Sequence, residues 1–200
     1  ARPRIHPGVG RSTLASTRRP GPARDPSRQT THSASDRQTS TSSAVSHDAG
    51  RDWQAEIVGS EVETERLLLR GWRTDDLDQL EEVFRKEQVW HYPFKRGWSR
   101  EETDDFLNRK IHEWRDRGWS QWAVEVKATG QLIGFLGLAP PEFLPEVMPT
   151  VEVGWRLDPA WWGRGLATEG GRAALEYGFE SLGLDEVVSI YEPENVASGR

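Results

Sequence analysis

The sequence of 200 residues contains no cysteine. This absence excludes disulfides, thiolate metal sites and cysteine nucleophiles, so acyl transfer through an acyl-cysteine intermediate is also excluded. The sequence also lacks any hydrophobic run of the roughly 20 residues that span a bilayer. We therefore expect a cytoplasmic enzyme or binding domain with no membrane partner.

Aromatic residues are missing from the first 51 positions, which are rich in Ser and Arg. Nine Arg and three Asp give this segment a charge of +6, so the remainder carries −12 of the overall −6. A segment that buries little apolar surface cannot offset its chain entropy. We predict a disordered basic tail over 1–51 and a folded domain over 52–200. The acidic domain argues against a nucleic-acid partner, because such binding depends mainly on attraction to phosphate.

Hydrophobic periodicity predicts the elements of the folded part. A strand over 63–73 precedes a helix capped by Thr74, and a capping box of Ser99 and Glu102 opens a second helix. A hairpin is predicted over 120–138, with its second strand apolar on both faces as in a central strand. A strand ending at Leu157, a helix over 166–182 and a strand over 185–191 follow. The order βααβββαβ predicts a mixed α/β domain.

A glycine-rich junction joins the strand that ends at Leu157 to the following helix. The dinucleotide fingerprint G-x-G-x-x-G fails because Thr168 stands where its last glycine is needed, and a Walker loop fails because 128–200 contains no lysine. The acyl-CoA pyrophosphate loop, [R/Q]-x-x-G-x-[G/A], fits at Gly165 and Ala167, with Trp162 in its first position. An ordinary strand–turn–helix connection remains open on these residues alone.

From about Glu63 to Arg200 the sequence resembles the RimJ/RimL-like branch of the GNAT N-acetyltransferase superfamily. The matching pieces are ETERLLLRGW, LIGFLGL, VEVGWRLDPAWWGRGLATEG, YGFESLGLDEVVS and ENVAS. The resemblance implies an α/β (α+β) fold with a mixed, mostly antiparallel sheet flanked by helices. It also implies fourth and fifth strands that splay apart around pantetheine. The implied reaction transfers an acetyl group from acetyl-CoA to the primary amine of a protein N-terminus or of a small molecule.

The resemblance also assigns residues that bind acetyl-CoA. The main chain of one strand would pair with the pantetheine amides, through Trp155, Arg156 and Leu157. The glycine-rich junction would hold the pyrophosphate on its N–H groups, through Gly163, Arg164, Gly165, Leu166, Ala167 and Thr168. Asn195 would bond the pantetheine arm, and Ser198 would lie near the thioester sulfur.

Direct attack on a thioester needs a base for the amine proton and a donor for the leaving thiolate. Glu152 is the candidate base, with a structural carboxylate paired to Arg156 as the alternative. Ser198 is the candidate acid, with a plain helix-face serine as the alternative, and Tyr191 is the next candidate, with simple packing as its alternative.

No metal site is predicted. His112 and Glu113 begin a match to H-E-x-x-H, but the second ligand is missing from it because the last position is an aspartate.

The last residues of the sequence carry a further expectation. The family's fold continues past its N-x-x-S motif with a helix and two strands, whereas this sequence stops two residues after Ser198. The resemblance thus predicts a domain incomplete at its C-terminus, with a bare edge on the strand EVVSIY and no activity as it stands. A non-catalytic acyl-CoA-binding or interaction domain is the rival function. The amine acceptor, the acyl length and the oligomeric state, including a homodimer, stay open.

Overall fold

The computed structural model describes residues 13–18, 60–196 and 198. Among these residues, every helix is too short or too polar to span a bilayer. The strands are β1 (Thr13–Arg18), β2 (Val62–Glu63), β3 (Leu67–Arg70), β4 (Gln121–Val126), β5 (Gln131–Ala139), β6 (Glu152–Leu157) and β7 (Glu186–Tyr191). The helices are α1 (Leu77–Phe84), α2 (Glu87–Phe94), α3 (Arg100–Arg117) and α4 (Leu166–Glu180).

All of these strands belong to one sheet in the order β1-β7-β6-β5-β4-β3-β2. Neighbouring strands are antiparallel except β6 and β7, which are parallel. β5 is central and buried from Leu132 to Ala139, as its apolar pattern predicted. The mixed, mostly antiparallel sheet flanked by helices confirms the predicted fold class.

The two faces of the sheet are covered by different helices. α4 packs against β5, β6 and β3, whereas α1 packs against β5 and α2 against β6. Beneath α1 and α2 lies an aromatic cluster in which Phe84 contacts Trp90, Phe106 and Phe135 at ring-centroid distances of 5.0, 5.1 and 6.0 Å. β6 therefore presents one face to this cluster and the other to α4.

The helical region that begins near residue 74 differs from its prediction. Thr74 does not cap a helix; Thr74–Asp76 form a 3-10 turn, and α1 begins at Leu77. The carboxylate of Asp76 fixes this turn by accepting the Arg73 N–H at 2.8 Å and the buried Arg70 guanidinium at 2.7 Å. The one helix predicted after Thr74 is two helices in the structure, because α1 ends at Phe84 and α2 begins at Glu87.

The capping box that opens α3 is confirmed. Ser99 Oγ accepts the N–H of Glu102 at 3.2 Å, and the Glu102 carboxylate accepts the N–H of Ser99 at 2.9 Å. The N–H groups of Ser99 and Glu102, which have no partner within the helix, are thus both hydrogen-bonded.

Strand β1 corrects two expectations. The disorder predicted for 1–51 does not hold at Thr13–Arg18, and the rest of that segment lies outside the described residues. β1 pairs antiparallel with β7 from Thr13 opposite Tyr191 to Arg18 opposite Glu186. The edge of EVVSIY is therefore not bare. An unpaired edge leaves N–H and C=O groups without partners, and a strand laid along it satisfies them.

Candidate functional site

The parallel strands β6 and β7 meet at one end and then separate. They form one ladder pair, Glu152 with Val188. Beside it the Val188 N–H donates to the Val151 carbonyl at 2.9 Å. Beyond this point the described residues of the two strands form no further ladder pair. We call the resulting opening the fork. β6 and β7 are the fourth and fifth strands of the predicted order, so the fork is the splay that the resemblance implied for them.

The edge of β6 that faces the fork carries main-chain groups that β7 does not pair. The Asp158 N–H donates to Ile133 of β5 at 2.7 Å, whereas the Val151 carbonyl accepts from β7. Main-chain directions alternate along an antiparallel pair, so Trp155 and Leu157 direct their N–H and C=O groups into the fork. Arg156 directs its main chain to β5, which differs from its predicted role in pairing with pantetheine.

The predicted pyrophosphate loop lies at the N-terminus of α4. Gly165 occupies the N-cap position with φ +78, a left-handed conformation that glycine adopts at little cost. The first helical hydrogen bond runs from the Glu169 N–H to the Gly165 carbonyl at 3.0 Å. The N–H groups of Leu166, Ala167 and Thr168 precede it and have no helical partner. This arrangement presents donors and a positive helix end to an anion.

Hydrogen bonds join the start of α4 to the segment between β2 and β3. The Glu169 carboxylate accepts the Thr64 hydroxyl at 2.5 Å and Arg66 Nε at 2.7 Å. Arg66 Nη1 also donates to the Arg164 carbonyl at 2.8 Å. The loop is thereby held at both ends by contacts with residues about a hundred positions earlier in the chain.

Aromatic and cationic side chains surround this loop. Trp162 is 53% exposed, and its indole N–H donates to the Leu157 carbonyl at 2.7 Å, so that acceptor is already occupied. The Arg164 guanidinium lies 4.7 Å from the Trp161 ring centroid and makes no ion pair within the described residues. A cavity of about 490 Å³ opens beside the loop, with Arg66, Lys127 and Arg164 in its wall.

Glu152 lies where the fork begins. Its half-buried carboxylate accepts the N–H of Ile190 on β7. Burial raises the pKa of Glu152 to about 7, although this hydrogen bond and the charges of Arg156 and Lys110 act in the opposite direction. A carboxylate with a pKa near neutrality is suited to accept a proton at neutral pH.

Arg156 does not form the predicted alternative pair with Glu152. Its guanidinium donates to the carbonyls of Val89 and Tyr92 at 2.7 and 2.8 Å and stacks 4.2 Å from the Trp90 ring centroid. Burial lowers the pKa of Arg156 to about 10, so it stays charged at neutral pH. Arg156 therefore fastens α2 to β6 and leaves the Glu152 carboxylate without an ion-pair partner within the described residues.

Comparison with known families agrees with this geometry. The sequence profile of the acetyltransferase (GNAT) domain matches residues 66–200. The chain belongs to the GNAT acetyltransferase family. The resemblance read from its motifs is thereby confirmed.

Several proteins and solved structures are similar to this chain. "Uncharacterized N-acetyltransferase YoaA" of Bacillus subtilis is 26% identical over 140 residues, which cover 70% of this chain and 77% of YoaA. "Uncharacterized protein YkkB" of the same organism is 31% identical over 99 residues, covering 50% of this chain and 56% of YkkB. The crystal structure of a GNAT-family acetyltransferase from Bacillus anthracis is 26% identical with a TM-score of 0.59, covering 70% of this chain and 78% of that one.

The remaining predicted residues of this GNAT domain lie beyond or at the end of β7. Asn195 accepts the Ser198 N–H through its main-chain carbonyl at 3.0 Å and through its side chain at 3.4 Å. This geometry is that of a side chain capping its own turn. Tyr191 is the last residue of β7 and is half-buried. The structure gives no contact between Glu152 and either Ser198 or Tyr191, so their roles as acids stay predictions.

Sequence reasoning missed a group of polar residues near Glu152. Lys110 on α3 is 6% exposed and donates to Glu113 at 2.8 Å, and Ser120 donates to the same carboxylate oxygen at 2.6 Å. Gln121 at the start of β4 is 9% exposed. Gln121 alternates with Trp122 and Val124, a pattern that predicts an outward side chain, so no signal in the sequence indicated its burial.

Proposed function

We propose that this GNAT domain transfers the acetyl group of acetyl-CoA to a primary amine by direct attack on the thioester. The observation that carries the proposal is the fork, with Glu152 where it begins and, along one edge, the main-chain groups of Trp155 and the N–H of Leu157, which β7 does not pair. An extended pantetheine arm can add to that edge as a strand would. Its pyrophosphate then reaches the N–H groups at the start of α4.

The chemical step assigns one task to Glu152. An alkylammonium ion titrates near ~10, so an amine must lose a proton before or during its attack. The amine lone pair forms the N–C bond, the C–S bond breaks with its electron pair on sulfur, and Glu152 takes the amine proton. The thiolate of CoA then takes up a proton. Ser198 and Tyr191 are the candidate donors for that last step, and Asn195 is the candidate partner of the pantetheine arm.

An acceptor-panel assay tests the function directly. The full chain is incubated with acetyl-CoA and, separately, with a short peptide bearing a free N-terminus, spermidine or a simple alkylamine, and free CoA is measured. Acetylation of at least one amine, checked by mass of the product, is the expected result. Binding of acetyl-CoA without transfer to any of them would favour the non-catalytic acyl-CoA-binding domain instead.

The same assay addresses the expectation that these 200 residues alone are inactive. Turnover by the 200-residue protein contradicts that expectation while supporting the proposed function. Turnover that appears only when the chain is extended at its C-terminus supports both the proposed function and the expected inactivity of the 200 residues.

A further inference from the structure

Helix α2 contacts both arms of the fork. On the β6 arm, the Arg156 guanidinium donates to the Val89 and Tyr92 carbonyls of α2 at 2.7 and 2.8 Å. On the other arm, the Tyr92 hydroxyl donates to the Glu194 carbonyl at 3.3 Å, three residues beyond the end of β7. Successive side chains of a strand alternate between faces, and Trp155 lies against α4, so α2 joins the two arms on the opposite face of the sheet.

The contact between α2 and β6 has a local cause in the sequence. Pro93 has no N–H, so it cannot donate to the carbonyl of Val89, four positions earlier in the helix. The main chain of Tyr92 is not helical, with φ −105 and ψ 121. The planar guanidinium of Arg156 satisfies both carbonyls at once. α2 therefore cannot move away from β6 without leaving these two acceptors and a guanidinium unpaired.

The segment that follows β7 contains two candidate site residues. The Asn195 N–H donates to the Glu192 carbonyl at 2.8 Å, and the Ser198 N–H donates to the Asn195 carbonyl at 3.0 Å. Both hydrogen bonds lie within the segment. Among the described residues, the hydrogen bond that joins this segment to another element is the one from Tyr92. The position of Asn195 and Ser198 relative to β6 therefore depends on α2.

We propose that α2 is a bridge that sets the opening of the fork, with Arg156 and Tyr92 as its positioning residues. At the closed end the arms share one ladder pair, Glu152 with Val188, which leaves the far end to be held by other contacts. The bridge holds the segment after β7 in place before the pantetheine arm binds. A site that is already ordered loses less entropy on binding, so its affinity is higher. This inference rests on the proposed function and adds two residues to its site.

One conservative variant and one matched control test the bridge. Tyr92→Phe removes the hydroxyl and keeps the ring. We expect it to weaken the affinity for acetyl-CoA about threefold to tenfold, the worth of one hydrogen bond. Tyr177→Phe removes a hydroxyl that donates to Ser60 Oγ at 3.2 Å, near the C-terminal end of α4, and should leave the affinity unchanged. Calorimetric titration measures both affinities, and melting curves show that each variant is folded.

Hydrogen exchange provides a readout that needs no ligand. In Tyr92→Phe without acetyl-CoA, the amide hydrogens of Asn195 and Ser198 should exchange faster than in the wild-type protein, because their segment has lost its tie to α2. Exchange within α4 should be unchanged. Saturating acetyl-CoA should slow the exchange of both amides again. A residue that only stabilised the fold would change the melting temperature without a selective change in this segment.

A double-mutant cycle tests whether Arg156 and Tyr92 act through the same bridge. Arg156→Lys keeps the positive charge but lacks the planar group that holds two carbonyls. It should weaken acetyl-CoA binding by itself, and Tyr92→Phe should then weaken it less than about twofold further, because an α2 released from β6 no longer joins the arms. Independent effects that multiply would contradict the bridge. If Arg156→Lys does not fold, the comparison of Tyr92→Phe with its control still decides.

The possible failures are distinguishable. If the wild-type protein does not bind acetyl-CoA, the proposed function fails. If it binds and transfers the acetyl group, and Tyr92→Phe shows wild-type affinity, the bridge is wrong while the function stands. Faster exchange in Tyr92→Phe with unchanged affinity would also contradict the proposal, because the contact would then order the segment without serving the fork.

Discussion

At the scale of the residue, the rate of acetyl transfer should depend on the protonation of Glu152. Burial raises the pKa of this carboxyl group to about 7, so it is mostly ionised, and able to accept a proton, only above that pH. We expect the wild-type rate to rise with pH through about 7. Glu152→Gln should lower the rate about 100-fold or more, the usual contribution of a general base, and should remove the inflection near pH 7, leaving the rise that deprotonation of the amine itself produces. The measurement is kcat/KM from pH 5.5 to 8.5 for both proteins.

A stability measurement checks the same pKa without any substrate. The folded-state pKa of about 7 lies above the ordinary glutamate value of 4.5, so ionisation of Glu152 opposes folding. The protonated carboxyl carries its full stability below pH 4.5, and that stability is lost as the pH rises to about 7. Glu152→Gln should therefore gain about 1–2 kcal/mol relative to the wild-type protein across this window, after allowance for partial exposure. If the stability difference between the two proteins did not change from pH 4.5 to 7, and their rates were equal at every pH, Glu152 would have a structural role and not that of a base.

The sequence predicted Glu152 but gave no reason to select Gln121. Alternation along one strand places Glu152 on the face opposite Val153, which is a local property that periodicity reveals. The proximity of Gln121 to Gly154 depends on the ladder that joins β4, β5 and β6. That register is a property of the folded sheet, and positions 121 and 154 show no periodic relation in the sequence.

At the scale of the element, the start of α4 should decide the affinity for CoA. Gly165 has φ +78 and an open Cβ position whose nearest neighbour is Arg66 at 3.6 Å. Gly165→Val should weaken acetyl-CoA binding sharply, because the valine side chain occupies the approach to the N–H groups and a β-branched residue disfavours this conformation by about 1–2 kcal/mol. Calorimetric titration with acetyl-CoA measures the effect.

Gly183 offers a matched control for this change. It has φ +68, and its Cβ position has no neighbour within 4 Å among the described residues. Gly183→Val therefore introduces similar backbone strain at the far end of α4. A similar loss of stability in both variants, with weaker acetyl-CoA binding in Gly165→Val alone, is the expected pattern. Unchanged affinity in a folded Gly165→Val protein would remove the loop from the CoA site.

Element boundaries near α1 and α2 show where local sequence signals were insufficient. The capping box of Ser99 and Glu102 is complete within four residues, and it was predicted correctly. The break after Phe84 was not predicted, because it depends on tertiary contacts: the Trp98 N–H donates to the Phe84 carbonyl, and Arg156 binds the carbonyls of α2. Those partners lie 14 to 67 positions away in the sequence, outside the range of any helix-end motif.

At the scale of the whole molecule, the sheet is completed by pairing between its two most distant segments. β1 and β7 pair over six residues each, from Thr13 opposite Tyr191 to Arg18 opposite Glu186. The sequence did not predict this pairing, because the composition of 1–51 is that of a disordered tail. Six residues with moderate strand propensity become ordered when a free sheet edge offers them hydrogen bonds.

Removal of residues 1–19 should therefore expose the outer edge of β7. That edge belongs to the segment EVVSIY, in which Val187 is buried and the other residues are half-buried. An unpaired strand of this kind is a template for pairing with a second chain. We expect the truncated protein to self-associate in a concentration-dependent manner, as measured by sedimentation velocity and light scattering, while the 200-residue protein does not. A control in which residues 13–18 are restored alone at the N-terminus of a flexible linker should recover the behaviour of the full chain. A truncated protein that stays monomeric, with the melting temperature of the full chain, would show that β1 contributes nothing to the sheet.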